Sequence, residues 1–164
     1  MVAELPDKGR AERIAVGLGP GSFTGVRVAL AAARALALAW GSKAVGFPTM
    51  GLVAAMARNQ AGQTPVGVAM TGGHGEWFVE VFGADGVSMR PLASLRPEQA
   101  IDTVREEVIA GSQAEALVAA RGFGKALPIL PDARELALLG EDALLGSLDP
   151  IYGRDPDARL PGVA

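Results

Sequence analysis

Hydrophobic and polar positions alternate along this chain in helical and strand patterns, and one stretch stands apart. From Val26 to Trp40 the only polar side chains are Arg27 and Arg34; the rest are Val, Ala, Leu and Trp. The two arginines, at i and i+7, share one face of a helix. A surface helix ordinarily shows a wide polar face. This one is apolar nearly all round, so the pattern predicts a helix covered on more than one side. Two covers fit: more of the same chain, or a partner helix packed through the small alanines. A membrane span is not expected, because the run is short and Arg34 interrupts it.

Around this helix the pattern reads as an α/β chain. Ile14 to Leu18 is a short buried strand, and Gly19-Pro20-Gly21-Ser22-Phe23-Thr24-Gly25 is a tight turn into the helix, with Ser22 or Thr24 as its cap. Ala44 to Phe47 predicts a second strand. Thr49 caps a helix running to about Arg58, with Leu52, Val53 and Met56 inward. Pro65 to Met70 is an almost continuous apolar strand. Glu76 to Phe82 alternates, Asp85-Gly86 marks a hairpin, and Val87 to Leu92 returns. A helix is expected over Arg96 to Val108, capped by Ser94, with Ile101, Val104 and Val108 as its stripe. Ala116 to Ala120 reads as a strand, broken off by Gly122 and Gly124. Ala133 to Leu145 reads as a last helix with Leu136, Leu139 and Ala143 inward, and the tail after Asp149 as extended.

Composition narrows the chemistry. Hydrophobic residues make up 49% of 164 and charged ones 20%, the balance of a globular chain rather than a disordered one. A net charge of −3 argues against a protein that grips nucleic acid by itself. No cysteine is present, so disulfides and thiolate metal sites are excluded. His74 is the lone histidine and stands between glycines, which suits an exposed turn better than acid–base work. No signal-like apolar region opens the chain, and a cytoplasmic location is expected.

Each candidate site has a plain structural reading beside the functional one. The glycine turn is not a Walker A loop, because no Lys-Ser/Thr pair follows it. A helix N-terminus behind glycines can hold a phosphate, with Gly19, Gly21 and Ser22 as the candidates. A tight strand-to-helix turn accounts for the same residues. Glu76 and Glu80 share a strand face, either as a solvated outer face or as a paired acid and base. Ser22 lacks the nucleophile-elbow frame. Tyr152 and Arg154 either grip a ligand or pin the tail to the body.

The run Gly19-Pro20-Gly21-Ser22-Phe23-Thr24-Gly25-Val26-Arg27, the Ala-rich helix after it and Trp40 to Thr49 resemble the bacterial TsaB (YeaZ) family. So does the ending Asp149-Pro150-Ile151-Tyr152-Gly153-Arg154-Asp155-Pro156-Asp157-Ala158. The resemblance implies an actin-like ATPase (ASKHA, ribonuclease H-like) fold with most of the first lobe missing, as in an N-terminally truncated chain. Residues 1–60 would then be the remnant of the first lobe and 61–164 the second lobe. Met70 to Glu76 departs from the Asp-Ala-Arg-type element usual in the family. Met50 to Ala57 lacks the His-x-x-x-His pair of the catalytic TsaD subunit, so the likeness is to the non-catalytic partner.

What the resemblance implies is a scaffold subunit for a TsaD-like subunit, working with a TsaE-like ATPase. That assembly places threonylcarbamoyl on adenosine 37 of tRNA. The chain itself is expected to hold no cofactor and no metal; ATP and a metal ion are expected in the partner, and tRNA contact only through the complex. Phe23, Arg27, Leu30, Ala31, Arg34 and Leu38 form the expected interface stripe, facing the TsaD-like subunit or a second copy. The alternative is an actin-like ATP-dependent phosphotransferase or ligase.

Overall fold

The computed structural model describes residues 4 and 6–153. Two sheets organise the chain. The smaller pairs β1 (Arg13–Gly17) and β2 (Lys43–Phe47) in parallel, from Arg13 opposite Lys43 to Gly17 opposite Phe47. The connection between them is α1 (Phe23–Trp40), capped at its start by Ser22 and closed by Gly41 in the left-handed conformation. On its other side β2 meets the chain near its end: Gly46 and Leu145 exchange backbone hydrogen bonds of 2.8 Å.

The larger sheet has five strands in the order β5-β4-β3-β6-β7. β3 (Val66–Thr71) and β4 (Trp77–Phe82) are antiparallel, as are β4 and β5 (Ser88–Leu95). β6 (Val108–Ala110) and β7 (Lys125–Leu127) extend it in parallel from β3. Side-chain alternation splits the interior in two. Val66, Val68, Phe78 and Phe82 face α2 (Thr49–Ala61), while Ala69, Val79 and Val81 face α3 (Pro97–Thr103) and α4 (Ala114–Arg121). A third cluster joins Val16 and Leu18 to Leu30 and Ala33 of α1.

The two N-terminal helices exchange the roles that their composition suggests. α2 is the covered one, with Met50, Leu52, Val53, Ala54, Ala55, Met56 and Ala57 all buried. Thr49 does not cap it from outside. Thr49 is its first residue, and its N–H bonds to the Gly19 carbonyl at 2.9 Å. In α1 only Leu30 and Ala33 are buried, so of the two expected covers the same chain supplies one side only. By length and composition α1 could cross a membrane, yet it lies along β1 with those two side chains inward.

The C-terminal half departs further from the sequence pattern. The helix expected over Arg96–Val108 stops at Thr103, and Val108 opens the central strand β6. Val104 and Val108 stand four apart, as on a helical stripe, but they enter different clusters on opposite faces of the sheet. Arg121 makes the early stop affordable by donating to the carbonyls of Val104 and Glu106 at 3.0 and 2.6 Å. Ser94 caps nothing; it donates to Glu76 at 2.6 Å, and Gln99 accepts from the Arg96 N–H instead. The strand expected at Ala116–Ala120 is helix α4, whose inward Ala114 and Leu117 follow helical spacing. The last helix is two 3-10 segments, Ala133–Leu139 and Glu141–Ala143, split by Gly140 at φ 73 and ψ 163. Pro91 sits within edge strand β5, beside a register shift against β4, where a missing N–H costs no ladder bond.

Leu117 ties α4 to the sheet and is fully buried. Leu117→Ala is expected to cost about 2–5 kcal/mol in urea unfolding with an unchanged m value, the range for emptying a packed leucine site. A loss below 0.5 kcal/mol would mean that α4 is peripheral to the cooperative core.

Candidate functional site

The Gly19–Gly25 turn is built by what surrounds it. Gly19 has φ +103, and a Cβ there would stand 2.7 Å from the Ile151 carbonyl oxygen. No other residue fits that space and that conformation together. The Leu18 carbonyl accepts from the Ile151 N–H at 2.8 Å, and the Gly19 carbonyl accepts from Thr49. Ser22 Oγ accepts from the Gly25 N–H at 3.3 Å, which satisfies one of the free amides of α1. Gly21 is less constrained: a Cβ would make only an ordinary contact with Val26. The turn thus fastens β1, α1, the start of α2 and the chain's closing segment at one point.

That segment runs as a strap along one flank of α1. Arg34 donates to the Leu148 carbonyl at 3.0 Å, and Arg27 Nε donates to the Tyr152 hydroxyl at 3.1 Å. The Phe23 and Tyr152 rings stack with centroids 5.8 Å apart, and the Arg27 guanidinium lies 3.7 Å over the Phe23 ring. Tyr152 therefore pins the strap to the body. Arg154, paired with it in the sequence reading, lies outside the described residues.

Beyond the strap, α1 is open. Leu38 is 87% exposed, Val28 62% and Phe23 58%, and Ala31, Ala32, Ala35 and Ala39 are exposed with them. Of the expected stripe, Phe23, Arg27, Ala31, Arg34 and Leu38 do reach the surface. Leu30 does not: at 2% exposure it packs inward among Val16, Leu18 and Ala33. The stripe expected from spacing ran too close to the buried face. Val28 and Ala35 belong to the open face instead, and their i+7 spacing was the available signal. Contiguous exposed apolar surface of this kind marks interaction sites in folded proteins.

The other candidates hold no comparable arrangement. His74 is exposed in the turn before β4, at φ 57. Glu76 and Glu80 point to the face of the larger core rather than to an outer solvated one, each accepting from a serine of β5: Ser94 at 2.6 Å and Ser88 at 2.8 Å. Burial pushes the Glu80 carboxyl above its ordinary range, and the Ser88 bond opposes this. Sequence reading passed over Thr71, Ser112 and Gln113, which bond to one another at the ends of β3 and β6. Among the described residues no three His, Asp or Glu side chains gather as a metal site. A shallow groove of about 140 Å³ between α2 and the first 3-10 segment is lined by Asn59, Gln60, Asp132 and Glu135. Its Asp132 is already paired with Arg134, whose bonds hold the carboxyl down at about 2.

Residues 7–137 match the family model described as TsaD, tRNA N6-adenosine threonylcarbamoyltransferase. Among solved structures, YeaZ from Pseudomonas aeruginosa aligns with a TM-score of 0.70 and 23% identity, over 93% of this chain and 81% of that one. A second structure is described as an uncharacterized protein with similarity to peptidase YEAZ from Pseudomonas aeruginosa. It aligns with a TM-score of 0.69 and 25% identity, over 88% and 74%. No curated protein matches the chain.

Glu80 makes stability depend on pH in a defined direction. Its folded pKa lies above the ordinary 4.5, so the folded chain keeps a proton that the unfolded chain releases. Stability therefore falls as pH rises from about 4.5 through the folded pKa. Glu80→Gln, which can still accept from Ser88, is expected to raise the melting temperature at pH 7 and flatten that fall. An unchanged pH profile would show that Glu80 is well solvated.

Proposed function

The chain belongs to the TsaD/YeaZ family, and on that premise we propose that it serves as the non-catalytic partner of a TsaD-like catalytic subunit. The assembly would form N6-threonylcarbamoyladenosine at position 37 of tRNA in the cytoplasm, with a TsaE-like ATPase. ATP and the metal ion belong, in this reading, to the partner subunits, and tRNA is reached only through the complex. One observation carries the proposal. An 18-residue apolar helix, locked at both ends by Ser22 and Gly41, keeps Val28, Ala31, Ala35 and Leu38 uncovered. Leaving such a face in water is unfavourable, and burying it against a helix recovers roughly 25 cal/mol for each Å² of apolar surface. Alanines on the crossing line let two helices approach closely.

Ala31→Trp and Leu38→Asp test this on the native chain mixed with its cognate TsaD-like subunit. Light scattering on a sizing column is expected to show a complex for the native chain. Each variant is expected to bind at least about tenfold more weakly while melting normally, as for residues central to an interface. Unchanged association in both variants would move the interface off α1, and no complex with the native chain would overturn the partner reading.

A further inference from the structure

The flank of α1 that carries the strap joins one open aromatic face to two cations without a countercharge. The Arg27 guanidinium lies 3.7 Å over the Phe23 ring and 5.8 Å from the Tyr152 ring, and the two rings are 5.8 Å apart. Tyr152 is thus no farther from the guanidinium than from Phe23, which places both neighbours to the same side of the Phe23 ring. The opposite face of that ring carries neither, and Phe23 is 58% exposed. Arg27 and Arg34 donate to a phenolic hydroxyl and a backbone carbonyl, and among the described residues neither forms an ion pair. From Phe23 to Trp40, α1 contains no Asp or Glu. Asp149 is the next residue after Leu148, yet its carboxylate accepts from Ser147.

An aromatic ring with one free face beside fixed guanidiniums is the combination that holds single-stranded nucleic acid. Bases stack on the ring and the cations follow the phosphates. Duplex RNA fits poorly, because its bases are already stacked within the helix. An acidic protein segment would answer the arginines yet leave the free face of Phe23 in water. With a net charge of −3 the chain exerts no long-range pull on RNA, so such a contact works only where a partner subunit has already brought the RNA close. Position 37 of tRNA lies in the anticodon loop, whose bases are unpaired and open to stacking.

We infer that the strap flank of α1 is a contact for the single-stranded loop of the tRNA: Phe23 stacks one unpaired base, and Arg27 and Arg34 take neighbouring phosphates. This rests on the partner-subunit reading and names the residues of this chain that meet the RNA within the complex. Tyr152 and Leu148 hold the two guanidiniums in place before RNA arrives, which lowers the ordering cost at binding. The flank is separate from the open face of Val28, Ala31, Ala35 and Leu38, so both can be engaged at once.

The test uses the chain assembled with its cognate TsaD-like subunit and an anticodon stem-loop RNA as the probe. A sizing column reads complex formation first, and fluorescence anisotropy then reads RNA affinity at several salt concentrations. Phe23→Leu keeps the apolar bulk and removes the ring, Phe23→Tyr keeps the ring, and Arg34→Gln removes one charge but keeps an N–H donor for Leu148. All three are expected to join the TsaD-like subunit as the native chain does. Phe23→Leu is expected to bind the stem-loop at least about fivefold more weakly with an unchanged salt slope, and Phe23→Tyr to bind as native. Arg34→Gln is expected to bind more weakly and to lower the slope of log affinity against log salt by about 0.7, the value for one phosphate contact on a single strand. Unchanged RNA affinity in the Phe23→Leu and Arg34→Gln complexes would overturn the inference, and so would a Phe23→Tyr defect as large as that of Phe23→Leu. Variants that lose RNA only because they fail to join the TsaD-like subunit would assign the flank to subunit contact and overturn it. Binding of adenosine monophosphate that is lost in Phe23→Leu, with stem-loop affinity unchanged, would assign the ring to a free nucleotide and overturn it as well. A native chain that forms no complex defeats the partner-subunit reading and this contact with it, whereas a native complex whose RNA affinity ignores the variants defeats the contact alone.

Discussion

The close approach of the Ile151 carbonyl to Gly19 is the constraint on which the rest of the molecule depends. It requires a residue without a side chain at φ +103. Around that point the Leu18 and Gly19 carbonyls receive the N–H groups of Ile151 and Thr49, so a strand end, a helix start and the closing segment share one junction. The direction in which α1 leaves β1 follows from it. So does the side of α1 that the strap occupies, and therefore the side left open.

The distribution of burial between α1 and α2 is the energetic counterpart. α2 has small and medium apolar side chains on nearly every face and lies between the larger sheet, β2 and the 3-10 segments. α1 has a similar composition but packs through Leu30 and Ala33, with Val26 and the strap residues Leu148 and Ile151 at the margin. Two helices of like hydrophobicity thus end in opposite states. The difference lies in what the fold places over them, which no property of either helix records.

This is why the first half of the chain was legible in sequence and the second half less so. Strands 13–17, 43–47, 66–71 and 77–82 lie within a residue or two of their apolar runs, and the Ser22 cap is a local signal. β6 was hidden because Val104 and Val108 mimic a helical stripe, while the break depends on Arg121 reaching back to carbonyls more than a dozen residues away. α4 was mistaken for a strand because eight residues with two inward positions give too short a period to read. At the site, five of the six residues of the expected stripe reach the surface. Leu30 failed because a single residue step, about 100° around the axis, separates it from Ala31 on the open face, and spacing alone does not fix which is which.

The strap also sets an order of events during synthesis. Arg27 and Tyr152 are 125 residues apart in the chain, and the Arg34–Leu148 contact spans 114. At about 5–20 residues per second, α1 leaves the ribosome roughly 6–25 s before its anchor is made. Through that interval the helix lacks the strap, and both that flank and its open face are available to whatever meets nascent chains. A chaperone that binds apolar helices would find its longest-lived target in this molecule at the N-terminal end. The arrival of Leu148 to Tyr152 would then cover only the flank of Phe23, Arg27 and Arg34.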